Sequence, residues 1–144
     1  MLLDRSSYRK QLRYITAAQP NPRGSRARTV LIADDSEKVR QSLARMITCF
    51  SHLTVAAEAT NGNEALALIR QFQPDIVVLD VEMPELSGLE VLAAIKSEDL
   101  KCMVIMFTGQ ADDAYRQKCL AMGAKHFFEK GTQVNEFLTA LKQL

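Results

Sequence analysis

A chain of 144 residues, 47% apolar and 24% charged, has the size and proportions of one globular domain rather than a disordered or fibrous one. Its longest apolar run is the six residues 102–107, far below the ~18 needed to cross a bilayer. Three scattered cysteines with no CxxC pair exclude a disulfide framework and a cysteine zinc site, and point to a reducing, cytoplasmic setting. The net charge of +1 conceals a split. Residues 1–28 carry seven basic residues against Asp4, a net +6, whereas the remainder carries 11 basic and 16 acidic, a net −5.

In chain order, residues 1–28 read as a basic arm and linker. Tyr8, Leu12 and Ile15 recur at helical spacing and Arg5, Arg9 and Arg13 form another stripe, so residues 5–17 are compatible with an amphipathic helix. Pro20, Pro22 and Gly24 then make the linker. A solvated tail is the plain alternative. The functional ones are docking on the acidic domain, a homodimer contact or an anionic partner. Basic arms bind nucleic acid through its phosphates, but nothing here reads bases, so nucleic acid is not expected.

Residues 29–144 alternate short β-branched segments with helical periodicity. The run TVLIA at 29–33 reads as a buried strand, and Ser36 as the N-cap of a helix with Val39, Leu43, Met46 and Ile47 on its stripe. A weaker strand over 53–59 precedes a helix over 62–72 with Ala65, Leu66, Leu68 and Ile69 inward, stopped by Pro74. IVVLD at 76–80 is the clearest buried strand. After a Met-Pro loop, Ser87 and Glu90 form a capping box for a helix holding Leu89, Val91, Leu92 and Ile95. A fourth strand is predicted over 103–108, and a fourth helix over 112–122 ended by Gly123. A fifth strand follows over 126–129, then a last helix capped by Thr132 with Val134, Phe137, Leu138 and Leu141 inside. Cys49, Cys102 and Cys119 read as small buried hydrophobes, Met103, Met106 and Met122 as core filler, and His52 and His126 as structural. Five strands alternating with five helices predict an α/β fold: a doubly wound, five-stranded parallel sheet of flavodoxin-like order 2-1-3-4-5, with helices on both faces.

In such a sheet, ligands bind beyond the carboxyl ends of the strands, where the winding reverses. Asp34-Asp35 end the first strand, Asp80 the third, Thr108 the fourth and Glu129-Lys130 the fifth, so the fold brings these distant groups to one edge. Two carboxylates about 4 Å apart repel by about 4 kcal/mol at an effective dielectric near ~20. Asp34, Asp35 and Asp80 therefore share a pocket only with protons, Lys130 or a cation to relieve them. An oxygen-only cluster suits magnesium, Lys130 supplies a point charge for a dianion, and Thr108 supplies a hydroxyl donor. The implied chemistry is a phosphoryl group beside a divalent metal. Asp80 is the candidate acceptor, because a carboxylate attacking phosphorus gives an aspartyl phosphate whose formation is governed by positioning and charge.

The runs VLIADDS at 30–36 and DVEMP at 80–84, with Gly88, Thr108-Gly109 and Lys130, resemble CheY-like receiver domains of bacterial two-component response regulators, over residues 29–144. The resemblance implies that Asp80 takes its phosphoryl group from a sensor histidine kinase or phosphotransfer protein. It implies Mg2+ held by the side chains of Asp35 and Asp80, by the Glu82 backbone carbonyl, and by Asp34 through water. It also implies a switch pair, Thr108 and Phe127, that alters the affinity of the surface of helix four, strand five and helix five for a downstream protein target. Core packing of Phe127 and Phe128 on opposite faces of their strand is the alternative to that switch role.

Gly131 stands where receivers usually have proline; a trans bond is expected there, with glycine's freedom absorbing the altered turn. No effector domain follows Leu144, so a stand-alone receiver that acts by binding is expected. Glu82, two residues past the acceptor, is expected near the mouth, where it impedes attacking water. Two rivals remain. A phosphatase of the haloacid-dehalogenase type has its nucleophile after the first strand in an Asp-x-Asp pattern, whereas Asp80-Val81-Glu82 follows the third. The other is a degenerate receiver acting as a phosphorylation-independent interaction module.

Overall fold

The structure is a computed structural model that describes residues 26–144. The expected helix at 5–17 and its linker lie outside the described residues. Ten elements alternate: β1 (Arg28–Ala33), α1 (Glu37–Thr48), β2 (Leu53–Ala59), α2 (Gly62–Phe72), β3 (Ile76–Leu79), α3 (Gly88–Ser97), β4 (Met103–Thr108), α4 (Asp113–Ala121), β5 (His126–Glu129) and α5 (Val134–Lys142). All strand pairs are parallel, in the order β2-β1-β3-β4-β5. This is the predicted flavodoxin-like winding. No described helix is long and apolar enough to cross a membrane.

Strand residues alternate between two cores, as the period of two requires. Leu31, Val77, Leu79, Met106 and Phe127 pack under α2, α3 and α4 with Leu68, Leu92 and Cys119. Val30, Ile32, Val78, Ile105 and Phe107 face the other way, against Leu43 and Ile47 of α1 and Phe137 and Leu141 of α5. Phe107 stacks on Phe137 at 4.7 Å between ring centroids, and half-buried Phe128 meets the same ring edge-on at 6.1 Å. Phe127 is 3% exposed, so both aromatics of β5 contribute to packing, one to each core.

The helix starts follow side-chain chemistry. Ser36, Asn61, Ser87 and Asp112 each accept a backbone N–H three residues on, and Ser87 and Glu90 complete the capping box. The predicted Thr132 cap is corrected: Gln133 holds the N-cap position of α5 without a side-chain cap bond, and Thr132 Oγ1 instead donates to Glu129 Oε2 at 3.0 Å. Cys49 is also corrected, from buried to exposed, because it lies two residues and about 200° beyond the buried Ile47 on α1.

Two glycines let the loop after β3 close against the helices. A Cβ on Gly88 would stand 2.0 Å from the Asp80 carbonyl oxygen, and one on Gly62 would stand 1.8 Å from that of Leu86. Both are positions where only the missing side chain permits the approach. Gly88 N donates to Val81 O at 2.8 Å, which fixes the loop directly after Asp80.

Candidate functional site

The parallel ladder runs one residue past the strand ends. Asp34 N donates to Ala59 O and Asp80 N to Ala33 O, both at 3.1 Å, so the first and third strands deliver their acidic residues side by side. Each of Asp34, Asp35 and Asp80 has a carboxylate oxygen within 4.8 Å of those of the other two. Asp34 is 1% and Asp80 5% exposed, whereas Asp35 is open to solvent. Two carboxylates in nearly dry surroundings beside a third need a counter-charge.

Lys130 provides one. Its Nζ lies 2.8 Å from Asp80 Oδ2 and 2.5 Å from Asp34 Oδ2. Asp80 Oδ1 accepts from Glu82 N at 3.3 Å, and Asp34 Oδ1 from Ser36 N at 2.9 Å. Asp34 Oδ2 is buried with no aligned hydrogen-bond donor; the nearby ammonium is its ion-pair partner. Burial pushes the Asp34 carboxyl above its ordinary range, assisted by the Asp80 charge and opposed by Lys130 and Ser36. Burial opposes the charged Lys130, but its contacts with Asp34 and Asp80 outweigh this and hold its pKa above the usual value.

Thr108, fully buried at the end of β4, accepts from Gln110 N through Oγ1 at 3.1 Å, and its carbonyl accepts from Lys130 N at 3.0 Å. Glu82 is exposed at the mouth, where its Oε1 accepts from Gln110 Nε2 at 2.5 Å. Beside it an open cleft of about 510 Å³ runs between Asp35, Glu82, Pro84, Leu89 and Tyr115. The rim thus joins Asp34, Asp35, Asp80 and Lys130 directly, with Thr108 attached through the Lys130 main chain. Its donors are all oxygens, three of them on carboxylates, which is the chemistry of a hard divalent cation such as Mg2+.

The turn after Lys130 differs from expectation in one respect. All its peptide bonds are trans, as anticipated, but Gly131 lies outside the left-handed region and a Cβ there would meet only Glu129 Oε1 at 4.0 Å. Glycine's freedom is not used at this position.

Sequence reasoning passed over Arg40. It is 8% exposed, its Nη1 donates to Asp34 O at 2.8 Å, and its Nε lies 3.5 Å from Glu58 Oε1. The guanidinium thereby braces the main chain that carries Asp34 and Asp35. The signal was available, since Arg40 shares the inward spacing of Leu43 and Ile47. Gln110, Arg116 and Gln133 carried no comparable signal.

A family model described as the response regulator receiver domain matches residues 30–142. The chain is 38% identical over 114 residues to the chemotaxis protein CheY of Listeria monocytogenes, covering 79% of this chain and 95% of that one. It is 30% identical over 115 residues to the response regulator GacA of Pseudomonas aeruginosa, covering 80% of this chain and 54% of GacA. The chain spans about half the length of the first curated relatives it matches. Among solved structures, the CheX-CheY-BeF3-Mg+2 complex from Borrelia burgdorferi contains a similar chain, with a TM-score of 0.76 and 28% identity over 84% of this chain and 90% of that one. The stretch shared with these relatives is the stretch that builds the sheet and its acidic rim, and the chain accordingly belongs to the response regulator receiver domains.

Proposed function

We propose that this chain is a phosphorylation-controlled binding switch in which Asp80 is the acceptor. The observation that carries this is the seating of buried Asp80 against the Lys130 ammonium, which also pairs with Asp34, within 4.8 Å of carboxylate oxygens of Asp34 and Asp35. In the reaction, an Asp80 carboxylate oxygen attacks phosphorus, a new P–O bond forms, and the donor's bond to phosphorus breaks. With a phosphohistidine donor the imidazole leaves and takes up a proton. The site needs little other chemistry, because transfer depends on alignment and charge. Lys130 moves from neutralising two carboxylates to neutralising phosphoryl oxygens, and the Thr108 hydroxyl donates to one of them. Asp35, Asp80 and the Glu82 main-chain carbonyl would hold Mg2+, with Asp34 acting through water; the ion supplies positive charge to the transferring group.

The donor is a sensor histidine kinase or phosphotransfer protein of the cytoplasm. The output is a change in affinity of the α4–β5–α5 surface for a protein target, or for a second copy of the chain, coupled through Thr108 and Phe127. A tenfold population shift needs only ~1.4 kcal/mol of differential interaction, within the range of one charge-assisted hydrogen bond. The domain is an acceptor rather than a turnover enzyme.

Incubation with acetyl phosphate and Mg2+, followed by intact-mass measurement, tests this. One phosphoryl group is expected on the parent and none on Asp80→Asn, with the fold retained. Persistent modification of that variant would show that the acceptor is misassigned. Multiple-turnover hydrolysis of phosphate esters would favour the phosphatase instead, and failure to bind Mg2+ or beryllofluoride would favour a phosphorylation-independent interaction module.

A further inference from the structure

The turn presenting Lys130 contains no proline, and its glycine is unstrained, yet the ammonium is held against two carboxylates. The side chain of Gln133 closes this turn. Its Oε1 accepts from Glu129 N at 2.9 Å and from Arg116 Nη2 at 3.1 Å, while Gln133 N donates to Glu129 O at 2.9 Å. Lys130 and Gly131 therefore sit inside a loop that one residue fastens through both its main chain and its carboxamide. Arg116 reaches in from α4. It lies 5.0 Å from the centroid of the Phe127 ring, and its Nη1 donates to Phe127 O at 3.0 Å. A guanidinium supplies such a planar fork, and no shorter or rounder cation at this position would serve all three partners.

We propose that Gln133 and Arg116 are positioning residues for Lys130. Together they hold the 129–133 turn so that the lysine, whose flexible stem does not aim itself, starts from a fixed point opposite Asp80. Neither touches the reacting atoms. The proposal rests on the assignment of Asp80 as phosphoryl acceptor.

The test compares the parent with Gln133→Leu, which removes the doubly used acceptor at similar volume, with Arg116→Met, and with Gln133→Glu, which keeps an acceptor. Three quantities are measured: amide hydrogen exchange at Lys130 and Gln133 in the unphosphorylated protein, Mg2+ affinity by calorimetry, and the rate of phosphoryl acceptance from acetyl phosphate at saturating Mg2+. Gln133→Leu and Arg116→Met are expected to speed exchange at both amides and to slow acceptance by about tenfold, without loss of Mg2+ affinity. Gln133→Glu is expected to stay near the parent in all three. Acceptance within twofold of the parent in both disrupting variants would overturn the proposal, as would Mg2+ affinity that falls in step with the rate. A parent that accepts no phosphoryl group defeats the assignment of Asp80 and this proposal with it; an active parent matched by its variants defeats this proposal alone.

Discussion

Gln110 Nε2 donates to Glu82 Oε1 at 2.5 Å, tying the loop after β4 to the loop after β3, whose Glu82 N donates to Asp80 Oδ1 at 3.3 Å. If the proposed phosphoryl group sits on Asp80, this pair is expected to hinder the water that attacks it. Glu82→Ala and Gln110→Ala are each expected to shorten the phosphoryl lifetime by a few-fold, consistent with ~0.5–1.5 kcal/mol for one hydrogen bond. The decay of phosphorylated protein after removal of the donor measures it. Unchanged decay in both variants would remove the pair from the mechanism.

Asp34 carries a cost to folding. Its folded pKa lies above the ordinary value of 3.8, with burial as the main cause, so the folded state binds the proton more tightly than the unfolded chain. This penalty is absent well below pH 3.8, grows as pH rises, and is complete once pH exceeds the folded pKa. Asp34→Asn keeps an acceptor for Ser36 N and is expected to raise the melting temperature at pH 7 by a few degrees, on the order of what one small stabilising change gives. The same variant should bind Mg2+ more weakly. Thermal scans from pH 3 to 8 and calorimetry check both arms, and a melting temperature that falls at neutral pH would contradict the first.

Lys130→Met leaves two buried carboxylates without their cation. Breaking a buried pair costs ~3–5 kcal/mol, and the partial exposure of Lys130 reduces the expected loss to about 2–3 kcal/mol. Millimolar Mg2+ should restore part of it, because an ion held by these carboxylates would bind the folded state and not the unfolded chain. Melting with and without Mg2+ decides this. A variant indifferent to the ion would show that the carboxylates do not form its site.

The glycines separate into required and free. Gly88→Ala drives a Cβ into the Asp80 carbonyl, and overpacking of this kind costs ~1–3 kcal/mol or more. Gly131→Ala meets open space and is expected within ~0.5 kcal/mol of the parent. Denaturant melts of the two variants make the comparison.

Much of this molecule is legible from its residues. Parallel strands buried on both faces read as unbroken apolar runs, which is why 76–79 and 103–107 stand out, and Ser36, Ser87 and Asp112 announce helix starts with side-chain oxygens. The acidic rim is legible for a topological reason: the winding sends successive strand ends to one edge whatever their separation in sequence. Legibility fails where one side chain chooses among several partners. Thr132 offers a standard cap hydroxyl but bonds backward to Glu129, leaving Gln133 to bind the turn. Arg40 stands at an inward helical position, but no local pattern names Glu58 and the Asp34 carbonyl as its partners. Gln110 meets Glu82 only because the loops after β3 and β4 come together in space. Each of these depends on tertiary proximity, which local periodicity does not encode.

The helix that carries Arg116 is the most lightly anchored of the five. Among its residues only Cys119 is buried, whereas α2 buries five residues and α3 four. Local opening energy follows the apolar area that must be uncovered. Uncovering α4 therefore exposes less apolar surface than unseating α2 would, and the hydrogen bonds from Arg116 to Phe127 O and Gln133 Oε1 are among the ties that hold it to β5 and the turn beyond.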